Sequence, residues 1–142
     1  MITDRQPAKI TLIRPPILEL RANLSSYGAI LPIGLAYIAA VLREAGHHIS
    51  VIDAPGEAIN RLLDVESPVG PVMLNGLTPA EIVERIDPDT EIIGITHMFL
   101  HEWPTIREIA ERAKGKLPRA KIGGRMRVIL AGCLSVIIFG IF

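Results

Sequence analysis

The sequence has 142 residues, with 15 basic and 15 acidic side chains, one cysteine and a hydrophobic content of 49%. This length and composition favour one domain with a core of its own, and the zero net charge argues against nucleic acid as a partner. The single Cys133 excludes an internal disulfide framework and any multi-cysteine zinc or iron–sulfur site within these residues. The amino-terminal stretch MITDRQPAKITLIRPP lacks the long apolar run of a signal peptide, so a cytoplasmic location is expected.

The first half of the chain predicts two strands on either side of a helix. Its first apolar run ends before the pair Pro15-Pro16, which is typical of a buried strand that stops at a turn. Pro32 suits the start of a helix, and Gly46 suits the left-handed cap after its end. The predicted elements are a strand at 8–13, a loop at 17–30, a helix at 32–45 and a strand at 49–52 that ends at Asp53.

The second half predicts a long loop followed by two helices and two strands. Prolines and glycines recur between residues 54 and 77, which is typical of a loop. Thr78, Pro79 and Glu81 form the pattern of a capping box, a strong signal for the start of a helix. The remaining elements are a strand at 91–96, a helix from Pro104 and a strand at 119–124 that stops early.

The alternation of strands and helices predicts an α/β fold with three layers. Short apolar strands joined by helix-length crossovers imply a doubly wound parallel sheet with helices on both faces. The last strand has few apolar residues before Gly123-Gly124, so the sheet is expected to be incomplete at its C-terminal edge. Ligands of such sheets lie beyond the carboxyl ends of the strands. The segments expected there are 14–16, 53–55, 96–102 and 123–124.

Common nucleotide and phosphate sites of this fold class do not fit the turn after the first strand. A dinucleotide site needs glycines in that turn, which here reads RPPILEL. Asp53 stands where a ribose-binding carboxylate would, but without the glycines this signal is weak. The sequence has no P-loop, and Arg14 with its two prolines lacks the clustered acids of a phospho-accepting receiver domain.

Residues 32–47 follow the pattern Pro-x-Gly-Leu-x-Tyr-x-Ala-x-x-Leu-Arg-x-x-Gly-His. With LIRPP before it and IIGITHM and a glycine pair after it, this pattern resembles the amino-terminal cobalamin-binding domain of cobalamin-dependent radical SAM enzymes. The resemblance covers residues 8–124 and implies a Rossmann-like, flavodoxin-like domain with cobalamin as its cofactor. Many of these enzymes are methyltransferases, so the implied function is the cobalamin-binding module of such an enzyme.

The resemblance also implies which residues lie against cobalamin. The corrin ring is a broad and mostly apolar plate, which suits small and apolar residues at the edge of the sheet. A purely structural explanation stays open for several of them, since apolar residues fill any buried helix and Asp53 ends a strand. No catalytic residue or metal ligand is assigned, because no histidine precedes His47 and the Asp-x-His-x-x-Gly motif of other cobalamin proteins is missing. The expected cofactor contacts are Pro15, Pro16, Leu31, Pro32, Gly34, Tyr37, Asp53, Thr96, His97, Met98, Gly123 and Gly124.

The resemblance places the catalytic half of such an enzyme outside these residues. That half binds an iron–sulfur cluster and S-adenosylmethionine through a Cys-x-x-x-Cys-x-x-Cys motif, which a single cysteine cannot supply. The implied partner is therefore a radical SAM catalytic domain that is encoded separately or lost. This chain alone is not expected to be an enzyme.

The uncharged run at 128–142 departs from the pattern of the domain. Residues 125–142 are expected to be a hydrophobic tail outside the native domain, produced by truncation or a frame shift. The run is shorter than the roughly 20 apolar residues of a membrane-spanning helix, so membrane contact is expected only through this tail. Two other functions stay open: a stand-alone binding or sensory module, and a small membrane-associated protein that uses its tail.

Overall fold

The computed structural model describes residues 6–20, 30–67, 70–97 and 100–123, which form two β-sheets and the helices around them. In chain order the elements are β1 (Lys9–Arg14), β2 (Ile17–Leu20), α1 (Ile33–Glu44), β3 (His48–Asp53), α2 (Ala54–Glu57), β4 (Leu62–Ser67), β5 (Gly70–Asn75), α3 (Pro79–Arg85), β6 (Ile92–Ile95), a 3₁₀ turn (Leu100–Glu102), α4 (Trp103–Lys116) and β7 (Lys121–Gly123).

Strand β1 lies inside a four-stranded parallel sheet with the order β3-β1-β6-β7. All six residues of β1 pair with β3, and four of them also pair with β6. This order corresponds to the first four strands of a flavodoxin-like, doubly wound sheet, in which the second and third strands lie on opposite sides of the first. The predicted α/β fold is therefore confirmed.

Alternate residues of the parallel sheet pack against helices on opposite faces, which gives the three predicted layers. On one face, Ile10 and Leu12 of β1 pack with Leu35 and Ala39 of α1. On the other face, a larger core joins the sheet to α3 and α4 and fills the space between them. Its buried members include Ile13, Ile52, Ile93, Ile95 and Ile122 from the strands, and Ile82, Val83, Ile106, Ile109 and Ala113 from the helices.

Helix α1 lies one residue inside its predicted boundaries at each end. Pro32 is the N-cap residue, and Gly46, just beyond the helix, has a φ of +90°, a left-handed conformation that favours glycine. Only the side of α1 that faces the sheet is buried. Tyr37 and Val41 on its other side are exposed, at 73% and 52% of their surface. Residues 31–42 carry no charge, and within the described residues only one side of this stretch is covered.

A second, antiparallel sheet occupies two regions that the sequence predicted as loops, at 17–30 and 54–77. Its strand order is β2-β5-β4, with a short helix, α2, before the hairpin. The loop prediction for 54–77 was wrong because its prolines and glycines obscured a period-two pattern of apolar residues. Residues 21–29 of the other predicted loop lie outside the described residues. The apolar face of this sheet consists of Leu18, Leu63, Val65, Val72 and Leu74.

Helix α4 begins one residue earlier than predicted. Trp103 is its first residue, and Pro104 takes the next position, where a missing N–H costs no intrahelical bond. The 3₁₀ turn that contains His101 precedes the helix, so His97 and His101 do not share a helical face. Residues 124–142, which include the predicted tail, lie outside the described residues. Among the helices of the described segments, none combines the length and hydropathy needed to cross a membrane.

Arg61 directly precedes β4 and forms an ion pair with Glu81 at the start of α3. Thr78 and Glu81 form the predicted capping box. Arg61 Nη1 donates to Glu81 Oε1 at 2.9 Å, while Arg61 Nε donates to the carbonyl of Gly76 at 3.1 Å. The hydrogen bonds from Arg61, and then those from the backbone and side chain of Thr78, lower the pKa of the Glu81 carboxyl well below its ordinary value.

We expect Glu81→Gln to destabilise the fold at neutral pH and to matter less in acid. The pKa of Glu81 is lower in the folded than in the unfolded chain, so the ionised carboxylate stabilises the fold above its ordinary pKa of 4.5. This contribution is lost progressively as the pH falls below that value towards the folded-state pKa. The difference between the urea midpoints of the variant and the wild type should therefore be largest at neutral pH and become smaller between about pH 4.5 and pH 3, without vanishing there.

The matched control is Glu84→Gln, at an exposed position of the same helix. It should leave the pH dependence of the urea midpoint unchanged. A difference between Glu81→Gln and the wild type that stays constant across this pH range would contradict the assignment.

Candidate functional site

The four parallel strands end together at one edge of the sheet. Their last residues are Arg14, Asp53, Ile95 and Gly123. The connections from β1 and β6 leave towards opposite sides of the sheet, because α1 covers one face and α4 the other. In doubly wound sheets such a divergence opens a crevice between the two strands. This carboxyl edge is therefore the candidate site.

Large apolar side chains are exposed on the segment that leads into α1. Ile30, Leu31, Ile33 and Tyr37 are between 69% and 79% exposed. On the segment after β6, Leu100 is 79% exposed and Trp103 is 40% exposed. The first of these segments lies beside the carboxyl end of β1, where Arg14 donates to the carbonyl of Ile30. An exposed apolar surface of this kind on a folded domain is typical of a surface that a ligand or partner covers.

Two glycines lie side by side on neighbouring strands at this edge. Gly94 of β6 is in register with Gly123 of β7 and, on its other side, with Leu12 of β1. Because Leu12 packs under α1, alternation puts this glycine pair on the α1 face of the sheet. Both glycines are buried. Glycine inside a strand is typical of a place where another group approaches the backbone closely. The sequence prediction included Gly123 and missed Gly94, although a glycine inside the strand IIGI was a signal for close approach.

Gly34 lies in the first turn of α1 with open space beside it. A Cβ placed on Gly34 would meet no described atom within 4 Å. Packing among the described residues therefore does not require glycine here, although glycine weakens a helix relative to alanine. A glycine here leaves room for a ligand to approach the start of the helix, which is one physical reason for its presence.

Asp53 is paired with Arg14 in the structure. Arg14 Nη1 donates to Asp53 Oδ1 at 3.2 Å, and the two side chains are 18% and 21% exposed. The same nitrogen donates to the carbonyl of Ile30 at 2.7 Å. The sequence prediction named Asp53 and missed its partner, because an arginine at the end of a strand shows no pattern by itself.

The remaining predicted contacts lie around the ends of β1 and β6. Pro15 and Pro16 are buried directly after β1. Thr96 donates to the carbonyl of Ile13 twice, from its backbone N–H at 2.9 Å and from its hydroxyl at 3.3 Å. The ring of His97 lies 5.9 Å from that of Trp103, centroid to centroid. Met98 and Gly124 lie outside the described residues.

Metal-binding residue types do not cluster at this edge. In the described parts of the chain, no group of three or more His, Cys, Asp or Glu side chains is arranged to hold a metal ion. His97 lies before the 3₁₀ turn and its ring contacts that of Trp103, at the border of the candidate site.

A family model for the B12-binding domain matches residues 22–126, well over half of the chain. The chain belongs to the B12-binding domain family. Its cofactor is therefore cobalamin, as the sequence resemblance implied. No curated protein and no solved structure gives a significant match.

The carboxyl edge of this B12-binding domain fits a large, mostly apolar cofactor. The matched segment contains α1 and the three parallel strands other than β1. Within it, two glycines lie side by side on β6 and β7, and the start of α1 presents uncharged and exposed side chains. A broad corrin plate with an amide fringe can contact such a surface through apolar groups and backbone polar groups.

Proposed function

We propose that this B12-binding domain holds cobalamin for a radical SAM enzyme of the methyltransferase type, whose catalytic half lies outside these 142 residues. The observation that supports this most is the pattern at 32–47, in which Gly34 has open space beside it in the first turn of α1 and Tyr37 is exposed. Bound cobalamin supplies a cobalt centre that can carry a methyl group between a donor and an acceptor. The residues of this chain bind and orient the cofactor.

The proposed contacts form two sides of the crevice. One side is the start of α1. The other side is the pair of Gly94 and Gly123, together with the turn after β6. Buried Pro15 and Pro16 set the direction in which the chain leaves β1 between these sides. The proposed contact residues are Pro15, Pro16, Leu31, Pro32, Gly34, Tyr37, Asp53, Thr96, His97, Met98, Gly123 and Gly124, to which the structure adds Gly94.

No histidine of this chain is proposed as a ligand of cobalt. His47 Nδ1 accepts a hydrogen bond from the backbone N–H of Ala8 at 3.1 Å, and His48 begins β3. Both therefore lie at the amino-terminal edge of the sheet, away from the candidate site. The sequence between Arg14 and Gly46 contains no histidine, which distinguishes this chain from cobalamin proteins with the Asp-x-His-x-x-Gly motif.

We expect Gly34→Leu to weaken cobalamin binding while leaving the domain folded. Leucine favours a helix more than glycine does, and the space beside Gly34 is free of described atoms. If cobalamin occupies that space, the larger side chain should raise the dissociation constant by at least about tenfold, the effect of overpacking a contact. Titration with hydroxocobalamin, followed by visible absorption, measures this change.

Ala40→Leu is the matched control, since Ala40 is exposed later on the same helix. It should bind hydroxocobalamin like the wild type. Equal affinity of Gly34→Leu and Ala40→Leu would contradict the proposed place of the cofactor.

The partnership with a catalytic half is tested at the genetic locus. We expect a reading frame with the Cys-x-x-x-Cys-x-x-Cys motif next to, or continuous with, the region that encodes this domain. If sequencing of the locus shows no such frame, the radical SAM partnership fails, and a stand-alone cobalamin-binding or sensory module becomes the better account.

A further inference from the structure

Arg14 connects two elements that border the proposed cofactor site. Its Nη1 donates to the carbonyl of Ile30 at 2.7 Å and to Asp53 Oδ1 at 3.2 Å. Ile30 lies outside both sheets and is followed by Leu31 and Pro32, after which α1 begins. One side chain at the end of β1 therefore links the end of β3 to the chain that enters α1.

Asp53 is itself held in place on the side of β3. A Cβ on Gly56 would come within 2.4 Å of Asp53 Oδ2, so glycine at that position leaves room for the carboxylate. The backbone N–H of Asp53 donates to Glu57 Oε1 at 3.2 Å, and Glu57 pairs with Arg85 at 3.1 Å. The position of the Asp53 carboxylate, to which Arg14 donates, is therefore constrained by its neighbours.

The two strands do not need this ion pair to stay together. Six residue pairs of the backbone ladder already join β1 to β3. Partly exposed ion pairs in general contribute little to stability. The bond from Arg14 to Ile30 differs in kind, because it fixes a carbonyl of the segment that presents exposed Leu31 and leads to Gly34. The main effect of Arg14 is therefore expected on the position of this segment.

We infer that Arg14 is a positioning residue for cobalamin, which holds the entry to α1 in the conformation that receives the cofactor. This inference rests on the proposed place of cobalamin at the start of α1. A segment that is ordered before binding loses less conformational freedom when the ligand arrives, which strengthens binding. Arg14 acts through the backbone of Ile30, with Asp53 fixing the direction of its guanidinium group.

Arg14→Ala should weaken hydroxocobalamin binding by about tenfold and shift the urea midpoint little. Arg14→Lys should restore part of the affinity, because one ammonium group can replace one of the two contacts but lacks the planar fork of arginine. If Arg14→Ala folds poorly, Arg14→Met, which keeps an apolar stem, takes its place.

Amide hydrogen exchange of the free protein gives a second readout, which is independent of the cofactor. The N–H of Ile33, bonded to the carbonyl of Leu31 at 2.9 Å, should exchange faster in Arg14→Ala than in the wild type. The control is Lys9→Ala, which removes an ion pair with Asp89 at the other end of β1. It should change neither the affinity nor the exchange of Ile33.

The outcomes separate the inference from the proposed function. If wild-type protein fails to bind hydroxocobalamin, the proposed function fails, while the exchange of Ile33 still tests the role of Arg14 in ordering the segment. If the wild type binds and Arg14→Ala binds equally well, the inference is overturned. If Asp53→Asn makes the exchange of Ile33 still faster in the double variant than in Arg14→Ala alone, the inference is also overturned, because Asp53 would then hold the segment without Arg14.

Discussion

The pairing of β1 with a parallel strand on each side is the constraint on which the rest of the structure depends. Since β3 and β6 flank β1, the chain must leave the sheet in two directions at the carboxyl edge, and a crevice forms where those directions diverge. Two buried prolines follow Arg14 at this point and precede β2. The register of β6 with β7 then sets Gly94 beside Gly123 on the face that α1 partly covers.

The two sides of α1 connect this geometry to function. Its inner side, with Leu35 and Ala39, is buried on the sheet. Its outer side is exposed and carries no charge between residues 31 and 42. Covering these apolar groups would be favourable, because it removes apolar surface from water. In a B12-binding domain the cofactor can cover the start of this side, and the proposed catalytic half can cover the remainder. The lack of charge at residues 31–42 would then follow from burial on both sides, against the sheet on one side and against the cofactor and the catalytic half on the other.

The parallel sheet and its helices could be predicted because short-range signals specify them. Pro32, Gly46 and the capping box of Thr78 mark helix ends within a few residues of sequence. The hairpin of β4 and β5 was missed, since its apolar alternation is interrupted by turn-forming residues. Arg14 was missed for a different reason. Its partners Ile30 and Asp53 are 16 and 39 residues away, and only the strand register brings them together.

Retention of a corrinoid by the purified protein tests whether this domain binds cobalamin. Purified wild-type protein is mixed with hydroxocobalamin, passed through a gel-filtration column, and the protein peak is examined for visible corrinoid absorption. We expect about one corrinoid per chain to elute with the folded protein, since one cofactor site is proposed at one sheet edge. A folded protein that emerges without corrinoid would contradict it.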